Sequence, residues 1–111
     1  MTKDYRKYNK YNAKRTMVDG TTFASKLEAR RYNELVLLQK AREIRYFLRQ
    51  IPFYLPGQKY ICDFMVVHND STIVYEDCKG MVLPLFKAKK ALVETLYPIE
   101  IKILTSEDIR K

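Results

Sequence analysis

The stretch "KYICDFMVVHNDSTIVYEDCK", residues 59–79, constrains this chain more than any other. Two runs rich in β-branched and aromatic residues flank a cluster of turn formers, which is the pattern of an antiparallel hairpin. Each run carries acid where an apolar residue is expected: Asp63 in the first, Glu76 and Asp77 in the second. A buried carboxylate without a partner is costly, so these acids must find one within the hairpin or beside it. Alternation along a strand puts Asp77 and Lys79 on one face and Glu76 and Cys78 on the other. A three-residue loop, Asn69-Asp70-Ser71, opposes Asp63 to Asp77 and Cys62 to Cys78, and brings both carboxylates and Lys79 to one spot. A two- or four-residue loop opposes Asp63 to Glu76 instead, and Glu76 then takes the place of Asp77. The sequence leaves both registers open.

The surrounding segments supply the rest of a small α/β domain. "SKLEARRYNELVLLQKAREIRYF" reads as the main helix, with Ser25 as N-cap and Glu28 three residues on, a capping box. At ~100° per residue, Leu27, Tyr32, Leu35, Val36 and Leu38 form one stripe and Leu37 points away. Glu28 falls inside that stripe, so it is either an exposed capping residue or an inward-facing acid. "RQIPFYLPG" reads as a short strand broken by prolines. "PLFKAKKALVETLY" reads as a second helix with Pro84 in its first turn. Leu85, Ala88, Leu92 and Leu96 are expected to face the core, and Lys87, Lys90 and Glu94 to face water. "IEIKILT" closes the order α-β-β-β-α-β over residues 21–111. Residues 1–20 are basic and Tyr-rich without apolar periodicity. They are expected to form a flexible arm, either a plain tail or one that lies on phosphates and stacks on bases.

Composition narrows the chemistry. A chain of 111 residues suits one domain. Two cysteines and one histidine cannot fill a four-ligand zinc site and are too few for a disulfide framework. Any metal must then be held by carboxylates, which points to Mg²⁺ or Mn²⁺. No apolar run reaches the ~20 residues of a membrane helix, and the N-terminus lacks a secretory signal, so a cytoplasmic protein with no membrane partner is expected. Lys and Arg number 21 against 13 Asp and Glu, a net charge of +8 that suits a polyanion, with nucleic acid first.

The order α-β-β-β-α-β with E…D…(D/E)-x-K resembles the PD-(D/E)xK nuclease superfamily, which includes restriction enzymes and archaeal-type Holliday junction resolvases. "DGTTFASKLEARRYNEL", "YICDFMV" and "VYEDCKG" are similar to a small phage-associated family of nuclease-like proteins, and the resemblance covers roughly residues 19–105. It implies a restriction-endonuclease-like core, a mixed sheet flanked by helices. It implies an endonuclease hydrolysing DNA phosphodiesters, branched DNA among them, in phage DNA metabolism and recombination within a bacterial host. Asp63 and Asp77 would hold Mg²⁺ or Mn²⁺, with the Cys78 main-chain carbonyl as a further ligand, Glu28 assisting and Lys79 positioning or activating water. Lys87, Lys89, Lys90, Arg30 and Arg31 would hold the DNA backbone, and a homodimer would supply two sites. Cys62 stands where the family's name-giving proline would be. Plainer readings stand beside these: an ion pair of Lys79 with either aspartate, Glu76 as a solvated charge or one that supports the site from behind its ligands, and a nuclease-fold DNA-binding or adaptor module without turnover.

Overall fold

The computed structural model describes residues 16–18 and 20–109; tyrosines 5, 8 and 11 of the basic arm lie outside them. A hairpin of β1 (Thr16–Val18) and β2 (Thr21–Phe23) precedes helix α1 (Lys26–Lys40). Strands β3 (Ile44–Leu55), β4 (Gln58–His68) and β5 (Ile73–Cys78) follow, then α2 (Pro84–Leu96) and β6 (Ile101–Leu104). The four-stranded sheet runs β3-β4-β5-β6, antiparallel except for the parallel pair β5–β6 that α2 connects. The molecule is thus an α/β fold with a mixed sheet and two helices, in the expected order after a short hairpin.

The β4–β5 register is the one a three-residue loop requires: Phe64 opposes Glu76 and Val66 opposes Val74. The His68 N–H donates to Thr72 O at 2.8 Å, and Ser71 takes a left-handed φ of 73°. That is a turn closed by a left-handed residue, with serine where glycine is usual. The β3–β4 turn is simpler, since Pro56 presets its φ and Gly57 supplies the positive φ of 71° that follows.

Helix α1 ends earlier than the sequence suggests. Its apolar pattern predicts helix through Phe47, but the chain turns at Arg42, whose φ is 60°, and Ile44 already lies in β3. Glu43 N–H donates to Leu38 O and Arg42 N–H to Gln39 O, the two bonds of a Schellman ending. Arginine holds the left-handed position that glycine normally marks, so no sequence signal announces the stop. The supposed short strand thereby becomes a 12-residue one with Pro52 on the sheet's outer edge.

Two apolar clusters occupy opposite faces of the sheet. Leu35 of α1 packs with Ile44, Phe64, Val66, Cys78 and Leu104. Val93 of α2 packs with Phe53, Leu55, Tyr60, Cys62 and Ile101. Helix α2 is rotated from its expected setting. Leu85 and Leu96 are 69% and 51% exposed, whereas Val93 is fully buried and Phe86 and Leu92 pack inward.

Strict alternation fails at one level of the sheet. Phe64 and Cys62 share parity on β4, yet they lie in different clusters, and Phe47 and Ile51 do the same on β3. The switch falls between the pairs Arg49–Phe64 and Ile51–Cys62, where Gln50 has a left-handed φ of 56°. Asp63 stands across from it.

Candidate functional site

The distortion at Gln50 and Asp63, the end of β5 and the start of α1 meet at one cleft. Its volume is about 600 Å³, and Leu27, Glu28, Asp63, Lys79, Met81 and Phe86 are among the residues lining it. Asp77 is not in that lining; at 1% exposure it lies behind it.

Asp63 and Asp77 come together. Asp63 Oδ2 accepts the Cys78 N–H at 2.9 Å, and the Asp63 and Asp77 carboxyl groups lie close enough to interact directly. Burial comes first among the reasons its pKa is pushed up to about 9; the hydrogen bond to Asp77 and the charges of Asp77 and Glu28 add to it. The Tyr60 hydroxyl donates a short hydrogen bond to Asp77 Oδ2. Asp77 Oδ1 lies 3.8 Å from Lys79 Nζ, a loose pair on a lysine whose side chain is 31% exposed. Lys79 Nζ also sits 4.4 Å above the Phe86 ring centroid, so it has a fixed perch at the cleft's rim.

Glu28 fills both roles that the sequence set against each other. The Ser25 hydroxyl accepts the Glu28 N–H at 3.1 Å, and Glu28 Oε1 accepts the Ala24 N–H at 3.3 Å, so it does cap α1. It is also 3% exposed and faces inward. Its Oε2 accepts from Gln50 Nε2 at 3.1 Å and lies 3.5 Å from Arg49 Nη2. Burial raises its pKa, with the Arg49 charge opposing.

Glu76 is not a solvated charge. It is 2% exposed and forked onto Arg31, with Nε to Oε1 at 2.8 Å and Nη2 to Oε2 at 2.7 Å. The same guanidinium reaches Glu34. Glu76 is therefore unavailable as a substitute for Asp77, and Arg31 is held inside the protein instead of standing free for phosphate. Arg30 lines a different groove with Asn33, Glu34 and Leu37. Lys87 is exposed one turn beyond Leu83, which lines the cleft, while Lys89 and Lys90 are half-buried and Lys90 Nζ bonds Glu94 Oε2 at 2.9 Å.

Cys62 and Cys78 are buried free thiols. Burial and the neighbouring Asp77 charge push Cys62 up to about 12, and burial with the Asp63 charge raises Cys78. Neither is a thiolate nucleophile at neutral pH.

Chemically the site offers oxygen donors only. Asp63 and Asp77 are the pair able to hold a cation, with Glu28 beside them. Among the described residues, no three His, Cys, Asp or Glu side chains are gathered into a ready-made cage. Three contributors had no signal in the sequence: Tyr60, Arg49 and Gln50 act through contacts 17, 21 and 22 residues away. Also among the described residues, no helix is long and apolar enough to cross a membrane.

No curated protein matches the sequence. A family model described as "Protein of unknown function (DUF1064)" matches residues 8–107, nearly the whole chain, and the chain belongs to that family.

Proposed function

We propose that this chain is a Mg²⁺-dependent deoxyribonuclease on a restriction-endonuclease-like core. One observation carries the reading: two carboxyl groups, Asp63 and Asp77, meet behind an open cleft with Lys79 at its rim. Two carboxyl groups brought this close repel unless a proton or a cation joins them. A core held only by apolar packing has no use for them.

The donor set fits a hard cation. Mg²⁺ takes one or two carboxylates and keeps several waters, so Asp63 and Asp77 would hold it without a full protein cage, and the Cys78 carbonyl is the nearest main-chain oxygen between Asp77 and Lys79. Bound there, the ion would activate water and stabilise charge building on a phosphate. Tyr60 occupies Asp77 Oδ2 and leaves Oδ1 for the cleft side. Lys79 holds a nonbridging phosphate oxygen or orients the attacking water. Lys87 and the basic N-terminal arm hold backbone phosphates. The net charge of +8 favours that partner. A chain this small contacts little duplex alone, and a symmetric dimer would present two sites to a branched substrate.

Incubation with single-stranded, duplex and four-way DNA, with Mg²⁺, Mn²⁺ or chelator, tests the proposal. Metal-dependent cleavage of at least one form is the expected result. Binding without cleavage of any form, under either metal, leaves the DNA-binding module in its place.

A further inference from the structure

We infer that Gln50 is a positioning residue for Glu28, and that the left-handed turn of β3 serves to deliver its amide. The inference rests on the metal-site reading above. In a regular strand, neighbouring side chains point to opposite faces. Arg49 and Gln50 break that rule, because Arg49 Nη2 and Gln50 Nε2 lie 3.5 and 3.1 Å from the same atom, Glu28 Oε2. The φ of 56° at Gln50 makes this possible, in a region that side chains larger than glycine rarely enter.

Packing does not account for the choice of residue. Gln50 is exposed, so it fills no core space, and its side chain's polar contact is Glu28. Glycine would hold the same backbone turn with less strain. What glutamine adds is a neutral donor. Arg49 alone would pair with Glu28 and cancel its charge, but its guanidinium is stacked 4.2 Å over the Phe23 ring and its buried Nε has no partner. It is pinned by that stacking and sits farther from Oε2 than the amide does. Gln50 thus fixes the carboxylate beside Asp63 while leaving its negative charge for a cation, as an amide hydrogen-bonded to a metal-site acid does in general.

The test measures Mn²⁺ binding directly, by the paramagnetic resonance of free Mn²⁺, for the full chain and for Gln50→Gly and Gln50→Asn. Gly keeps the turn without the amide; Asn tolerates the turn, but its amide is one methylene short. Melting temperatures are taken without metal. Both variants should melt no lower than wild type and bind Mn²⁺ about 10-fold more weakly. Unchanged affinity in both variants overturns the inference and leaves the metal-site reading standing. A fall in melting temperature that accompanies the lost affinity assigns Gln50 to the fold and also overturns it. Wild type that binds no Mn²⁺ overturns both readings at once.

Discussion

Arg31→Met should unfold this protein far more readily than Glu76→Gln, although the two residues form one ion pair. The Glu76 side chain is 3% exposed and that of Arg31 14%, and Arg31 has a second acid, Glu34, within reach. Removing the arginine leaves a carboxylate buried without its cation. Such a loss costs about 3–5 kcal/mol, a large part of the 5–15 kcal/mol that a domain has in total. At roughly 4 °C per kcal/mol for this chain length, melting falls by about 12–20 °C. Removing the charge of Glu76 instead leaves Arg31 paired with Glu34 and partly hydrated. The neutral amide still accepts one of its hydrogen bonds, so the loss is about 1–2 kcal/mol. In the double variant no buried charge is stranded, and its stability should exceed that of Arg31→Met alone. Thermal and urea unfolding of the three variants at neutral pH measures the ranking. An Arg31→Met loss below about 1 kcal/mol, or a double variant less stable than Arg31→Met, refutes the reasoning. Intact stability combined with weakened DNA binding would return Arg31 to the DNA-contacting set.

On the proposed nuclease reading, Lys79→Ala should lower single-turnover cleavage about 10²–10³-fold while Mn²⁺ binding stays within a few fold, since that reading gives the lysine to phosphate or water and the acids to the metal. Metal-free stability should decline as pH rises from about 4 to about 9. Asp63 binds its proton more tightly folded than unfolded, so its contribution is full below its ordinary value of 3.8 and is lost through its raised one. Melting curves of wild type and Asp63→Asn across that range check this; the variant should show the shallower slope, and Mg²⁺ should restore wild type most at the alkaline end. Tyr60→Phe removes the donor to a buried Asp77 oxygen and should cost about 1–3 kcal/mol in metal-free urea unfolding. A neutral result there would mean that Asp77 is satisfied from elsewhere.

The legible parts of this fold were those that depend on neighbours in sequence. The Ser25–Glu28 capping box starts α1 and Pro84 stands at the first turn of α2, while the β4–β5 register was one of two the sequence left open and follows the three-residue loop. Parity also separated Glu76 from Asp77 correctly. The end of α1 was hidden because Arg42, not glycine, adopts the left-handed cap. The setting of α2 was hidden for a different reason. Leu85-Ala88-Leu92-Leu96 and Phe86-Leu92-Val93-Tyr97 share Leu92 and are both acceptable helical stripes, and contacts with the distant strands β3, β4 and β6 select the second. At the site, the acids were visible as charges inside apolar runs. The groups that hold them, Tyr60 on Asp77 and Gln50 on Glu28, come from distant positions through a break in strand alternation that no periodic pattern encodes.

Among the described residues, strand β3 is an open side of the sheet, hydrogen-bonded only to β4. An edge of 12 residues with Tyr46, Leu48 and Tyr54 exposed is a template onto which another chain could zip. Two irregularities already met interrupt it. Pro52 has no N–H to offer, and the left-handed Gln50 turns its own peptide groups out of the repeating row. They stand two residues apart, near the middle of the strand, and split the edge into halves too short to template a continuous ladder. The same kink that serves the acids therefore also guards against amyloid-like stacking, so a substitution that straightens β3 would trade a lost site for a sticky edge.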